Sequence, residues 1–191
     1  MEDAGALPTE QHARSLDRDD ELALAARTDA AAFGVLYERH RLAVFRYLRI
    51  RTRTEDEAAE LTAVAFERAL AAMPRYRPTG GGVLAWLLRI ARNAAIDAGR
   101  RSQAVPFVSD LADPTRAASP EASAIERERL ATVAAAVDRL PEIQREALAL
   151  RYAAGLTARE IGAALGKTEH ATQKLISRAL ATLREDSRHD R

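Results

Sequence analysis

The stretch TAREIGAALGKTEHATQKLISRALATL, residues 157–183, leaves its backbone little choice. Thr157 followed three residues later by Glu160 is a capping-box pattern: the hydroxyl accepts from orphan amides and the carboxylate reaches back to the cap. Ile161 and Leu165 then share one helical face. Gly166 stops that helix, since a left-handed position costs a glycine nothing. Thr168 suits the N-cap of a second helix. Its inner stripe, Thr172, Ile176, Ala179 and Leu183, follows the 3.6-residue period. The opposite face carries His170, Lys174, Ser177, Arg178 and Ala181. Two short helices joined by a tight turn, the second partly basic outside, have the shape a DNA major groove accepts.

The rest of the chain also predicts helices. Ala, Leu, Glu and Arg dominate, and aromatic residues make up 5% of the 191 residues, so an all-α fold is expected. The formal charge is only +1, which excludes a protein that coats DNA by bulk charge. The positive charge is local instead: 21–100 holds 13 Arg against 9 Asp or Glu. Nucleic-acid binding should therefore be patchy and helped by a partner. Cysteine is absent, and the four histidines, at 12, 40, 170 and 189, lack metal-ligand spacing. No Ser-His-acid set or phosphate loop stands out, so neither an enzyme nor a metal or other cofactor is expected. No apolar run approaches the ~20 residues a membrane span needs, and the acidic N-terminus lacks a secretory core. A cytoplasmic protein without membrane insertion is the expectation.

Taken in order, residues 1–18 read as a disordered tail and 19–27 as a short helix. A longer helix capped by Asp29 runs to about Arg51, with an inner stripe of Phe33, Leu36, Tyr37, Val44, Phe45 and Leu48. Six arginines crowd its outer side and the residues just beyond it, between Arg39 and Arg53. They read equally as a solvated face or as a surface for an acidic partner or nucleic acid. Thr54 and Glu57 form a second capping box before a helix using Leu61, Ala65, Phe66, Ala69, Leu70 and Met73, which Pro74 ends. The loop PRYRPTGGG at 74–82 places Tyr76 between Arg75 and Arg77. An aromatic so flanked can stack on an unpaired base, or it can fold back on the core. The helix from Val83 to about Arg100 has Val83, Leu87, Ile90 and Ala94 inside, with Trp86, Arg89, Arg92, Asn93 and Asp97 around its other sides. Pro106, Pro114 and Pro120 then break the pattern. A linker is expected over 102–120, since it is too long for an ordinary loop. Residues 121–185 read as a second helical domain ending in the helix-turn-helix, and 186–191 as a tail. The first domain spans 19–101.

In both domains together the chain resembles the bacterial alternative sigma factors of the extracytoplasmic-function type, which keep only sigma-70 regions 2 and 4. Region 2 is carried by AFGVLYERHRLAVFRYLRIRT at 32–52, EDEAAELTAVAFERAL at 55–70 and VLAWLLRIARNAAIDAGRR at 83–101, with AWLLRIARNAAID the most specific piece. Region 4 is carried by AVDRLPEIQREALALRYAAGLTAREIGAALG at 136–166 and the final helix. The resemblance implies core RNA polymerase and promoter DNA as partners. The 55–70 helix would dock on polymerase, with Glu57, Glu60, Leu61, Val64 and Arg68 as candidates. Arg75, Tyr76, Arg77, Trp86, Arg89, Arg92, Asn93 and Asp97 would meet the −10 element and help melt it. His170, Lys174, Ser177 and Arg178 would read the −35 element. Many relatives are held by an anti-sigma factor, which makes one a candidate third partner.

Some positions depart from the family pattern. Ala63 and Val64 stand where a Gln-Glu pair is usual, Thr172 where a core valine is expected, and Leu175 where an arginine would grip phosphate. Two alternatives follow: a degenerate sigma-like protein working by protein-protein contact, or a helix-turn-helix regulator unrelated to initiation.

Overall fold

Side-chain caps start four of the helices. Asp29 accepts from the Ala31 amide at 2.8 Å and begins α2, Ala30–Arg49. Thr54 accepts from the Glu57 amide at 3.2 Å and begins α3, Glu55–Ala72. Thr157 opens α7, Ala158–Leu165, with both halves of its capping box formed, and Gly166 closes it at φ 66°. Thr168 accepts from the Ala171 amide at 3.2 Å and begins α8, Glu169–His189. The remaining helices are α1 (18–25), α4 (Gly82–Arg101), α5 (132–138) and α6 (Glu142–Tyr152), with a 3-10 turn at Met73–Arg75. The structure, a computed structural model, describes residues 18–101 and 132–189. Residues 1–17 of the tail expected over 1–18, the linker at 102–120, the 121–131 part of the helix after it, and 190–191 lie outside the described residues, while Arg18, expected in the tail, begins α1. Residues 186–189, expected as a tail, continue α8.

The described residues form an all-α fold of two helical groups. In the first, α2, α3 and α4 pack on one another; in the second, α6, α7 and α8 do so. The inner stripes hold in outline. Phe33, Leu36, Val44 and Leu48 of α2 are buried against Leu61, Ala65, Phe66 and Ala69 of α3 and Val83, Leu87 and Ala94 of α4. Phe66 stands edge-on to both Phe33 and Tyr37, at 6.5 and 4.8 Å between ring centroids. Four expected core positions of the first group do not close over, Ile90 being only partly buried. Leu70 is half exposed, Tyr37 lies at the edge, and Phe45 is only partly buried. Conversely Tyr47, Leu88 and Ala91, left out of the expected stripes, have no exposure.

These extra buried residues are explained by how the groups meet. Helix α4 packs on α7 as well as on α2 and α3. One continuous apolar core therefore includes Leu88 and Ala91 from the first group and Ala147, Leu150, Leu156 and Ile161 from the second. A smaller cluster of Leu140, Leu148 and Ala179 sits under α8. Helix α6 is buried on both sides, since Leu148 serves the small cluster and Leu150 the shared core.

Each threonine cap satisfies one orphan amide, so Thr157→Ala and Thr54→Ala should each lower stability by about 1 kcal/mol. Urea unfolding midpoints at neutral pH check this, and unchanged midpoints would deny the caps their role.

Candidate nucleic-acid interface

The second helix of the helix-turn-helix is positioned by what it buries. Thr172 and Ala179 have no exposure, and Ile176 and Leu183 are partly buried beneath them. Thr172 replaces an expected apolar residue, yet its hydroxyl donates to the Thr168 carbonyl at 3.0 Å, so no polar atom is stranded. Gly162 on α7 makes the tight turn possible, because a Cβ there would meet the Lys167 carbonyl oxygen at 2.7 Å. With this face buried, His170, Lys174, Ser177 and Arg178 all stand exposed on the other. Lys174 and Arg178 lie one turn apart, a cationic pair on a helix of groove-fitting width. Leu175 is half-buried rather than presented.

In the first group the candidate residues divide. Arg75 and Arg77 are exposed, as are Arg89 and Asn93 on α4. Tyr76 is not: it is 2% exposed, its ring lies 5.0 Å edge-on from Trp86, and its hydroxyl donates to Asp20 at 2.5 Å. Of the two readings left open for this tyrosine, the structure has the ring folded onto the core, because it fills the space between α1 and the start of α4. Trp86 is partly buried beside it. Arg92 is partly buried, with its Nε 3.6 Å from Glu146. Asp97 pairs with Arg68 of α3 at 2.8 Å, which joins two residues assigned to different partners. On α3, Glu60 is exposed and Val64 half-buried, whereas Leu61 turns into the core. Glu57 accepts from the Arg53 amide at 3.0 Å, one residue before the cap, so of the expected second capping box the Thr54 half is the one formed.

Helix α1 anchors this surface from behind. Asp20 takes the Tyr76 proton donor, and Asp19 meets Arg39 and His40. Burial raises the Asp19 carboxyl, but hydrogen bonds from His40 and Arg39 outweigh it and hold the group below the ordinary range. Burial, then the Asp20 carboxylate, pushes the Tyr76 phenol far above its usual value. Among the described residues no group of three or more His, Cys, Asp or Glu is placed to hold a metal ion, and no helix is long and apolar enough to cross a membrane.

One cluster went unread in the sequence. Glu146 of α6 has no exposure and is met by Tyr47, Arg51 and Arg92, all from the other helical group. A signal was present: Glu146 stands directly before the apolar run Ala147, Leu148, Ala149 and Leu150 and one turn from Leu150, where a buried acid needs a partner. Which of many arginines would answer it was not readable.

Sigma-70 region 2 matches residues 36–105 and sigma-70 region 4 matches residues 130–183. The chain belongs to the ECF RNA polymerase sigma factors, with regions 2 and 4. It is 36% identical over 175 residues to the ECF sigma factor SigD of Mycobacterium tuberculosis, covering 88% of this chain and 82% of that one. It is 35% identical over 158 residues to the ECF sigma factor BldN of Streptomyces coelicolor, covering 81% of this chain but 60% of the relative. Among solved structures, CnrH in complex with the cytosolic domain of CnrY superposes with a TM-score of 0.65 at 26% identity, covering 91% of this chain and 99% of CnrH. The sigma factor RpoE, in complex with the anti-sigma factor NepR from Bartonella quintana, shares the fold at a TM-score of 0.60 and 24% identity, covering 83% of this chain and 98% of RpoE.

The raised phenol makes a pH prediction. A group with a raised folded pKa contributes stability that is fully present below its unfolded value, about 10 for tyrosine, and lost as pH rises above it. Urea midpoints should fall between about pH 9.5 and 11, and less steeply in Tyr76→Phe. Parallel pH profiles for the two proteins would contradict the assignment. At neutral pH the loss of the Asp20 hydrogen bond should cost about 1 kcal/mol.

Proposed function

We propose that this chain is an alternative sigma factor that binds core RNA polymerase, directs it to −35 and −10 promoter elements, and helps open the −10 region. The observation that carries the reading is the pairing, on one chain and in family order, of a region 2 helical group with a helix-turn-helix whose basic face is wholly exposed. No covalent chemistry is required. The protein supplies base contacts worth about 1–3 kcal/mol each, a phosphate grip, and a surface that repays unstacking of single-stranded bases.

In this reading α8 enters the −35 major groove, with Lys174 and Arg178 on phosphate or base edges and His170 and Ser177 beside them. Arg75, Arg77, Arg89 and Asn93 form the −10 surface. Trp86 supports it, and Tyr76 acts through its packing on Trp86 while the loop stays closed. Arg92 and Asp97 join only when their ion pairs release. Glu60 and Arg68, exposed on α3, take the polymerase together with the half-buried Val64, and Glu57 and Leu61 shape that helix from its cap and its core. The protein works in the cytoplasm, where polymerase is. CnrH is seen with the cytosolic domain of a second protein, and that likeness supports a protein partner, an anti-sigma factor, for this chain too.

Transcription in vitro tests the whole reading, using purified core polymerase and a library of genomic start-site fragments. Specific transcripts are expected only when this protein is added. Their absence, despite active polymerase, would refute it. On any promoter so found, replacing Lys174 and Arg178 together by Ala should weaken holoenzyme binding and make its salt slope shallower by roughly 1–2. An unchanged slope would take α8 out of the groove.

A further inference from the structure

Helix α1 and the turn after it touch the base of the 74–82 loop at two separate points. The Tyr76 hydroxyl donates to Asp20 at 2.5 Å, and Arg27 Nε donates to the Pro74 carbonyl at 3.2 Å. The helix is itself held in place. Ala23 and Ala26 lie in the core, and Asp19 is buried against Arg39 and His40 of α2. Within the loop, the Tyr76 amide donates to the Met73 carbonyl and the Gly82 amide to the Thr79 carbonyl, each at 2.9 Å. The loop is thus fixed at both feet, and residues 77–80 between them are all exposed. Asp20 and Arg27 meet it at a foot, not at this exposed crest.

We infer that α1 is a splint for the −10 loop, with Asp20 and Arg27 as positioning residues that preset the loop for an unpaired DNA strand. The inference rests on the sigma-factor reading above. Tyr76 carries the effect. Its ring stands 5.0 Å edge-on from Trp86, and in sequence it lies between Arg75 and Arg77, both exposed. Seating Tyr76 therefore sets where both arginines leave the backbone relative to Trp86. The Tyr76–Asp20 bond is charge-assisted, the stronger kind, so it favours one ring position over a swinging loop. Arg27 adds a tie two residues earlier, on a carbonyl that no side-chain change in the loop would remove. A loop already in its bound shape loses little entropy when the strand arrives, and that ordering loss otherwise weakens a complex.

Trp86 is the single tryptophan of the chain, so its fluorescence reports the seat of Tyr76 in the free full-length protein. Asp20→Ala should make Trp86 more open to acrylamide quenching, and Asp20→Asn, whose amide oxygen still accepts, should restore the wild-type value. Holoenzyme made with core polymerase carries the second test, on a promoter found by the transcription experiment. Asp20→Ala and Arg27→Ala should each weaken binding of its single-stranded −10 oligonucleotide by about 3–10-fold. Binding of its −35 duplex should not change, and Asp20→Asn should bind both as the wild type does. Adding Tyr76→Phe to Asp20→Ala should cost nothing further, since both act through one bond. Should Asp20→Ala unfold, the exposed Arg27 decides, through Arg27→Ala and the same readings. Unchanged quenching, equal losses on the two DNAs, or additive losses in the double variant would overturn the splint. A loosened Trp86 in the variants, with no transcription directed even by the wild type, would uphold the splint and refute the sigma reading.

Discussion

A carboxylate removed from water is the constraint on which the arrangement of this molecule turns. Glu146 interrupts the buried face of α6, and an unpaired charge there would cost several kcal/mol. It is tolerated because Tyr47, Arg51 and Arg92 converge on it from α2, the turn after it, and α4. The cluster accounts for features that look unrelated in one dimension. Tyr47 is wholly buried although it lies off the expected stripe of α2. Burial, aided by the Glu146 carboxylate and opposed by Arg51, pushes its phenol well above the usual range. Arg92 points to an acid of the other group.

The apolar contacts around the cluster make the orientation definite. Leu88 and Ala91 of α4 belong to the same core as Leu150, Leu156 and Ile161. Burying side chains of this size contributes about 1.5–3 kcal/mol each, while the ion cluster contributes direction more than energy. Glycine sets the closeness of approach. Gly81 lacks the methyl that would strike Ala163, and Gly82 takes a φ of 73°, which strains any other residue.

The same division between local and distant partners runs through the candidate surfaces. On α8 the exposed set was readable, because one helix with one buried stripe leaves its opposite face to solvent whatever else the chain does. His170, Lys174, Ser177 and Arg178 lie where that logic puts them. In the 74–82 loop the logic fails. Tyr76 between two arginines is compatible with a stacking platform and with a core anchor. Asp20, 56 positions away, is the residue that meets its hydroxyl.

By itself the sequence determined the helices, their caps and the order of the two sigma regions. Those rest on contacts within four residues and on a 3.6-residue period, both written in consecutive positions. It also determined that α8 would present a basic face. Only the tertiary structure decided that the two groups share a core, that Tyr76 turns inward, and which of the many arginines answers Glu146. Charge complementarity and apolar area are degenerate in a chain with so many arginines and alanines. Geometry across the fold selects among equal candidates, since burial favours only the donors that reach the acid at bonding distance.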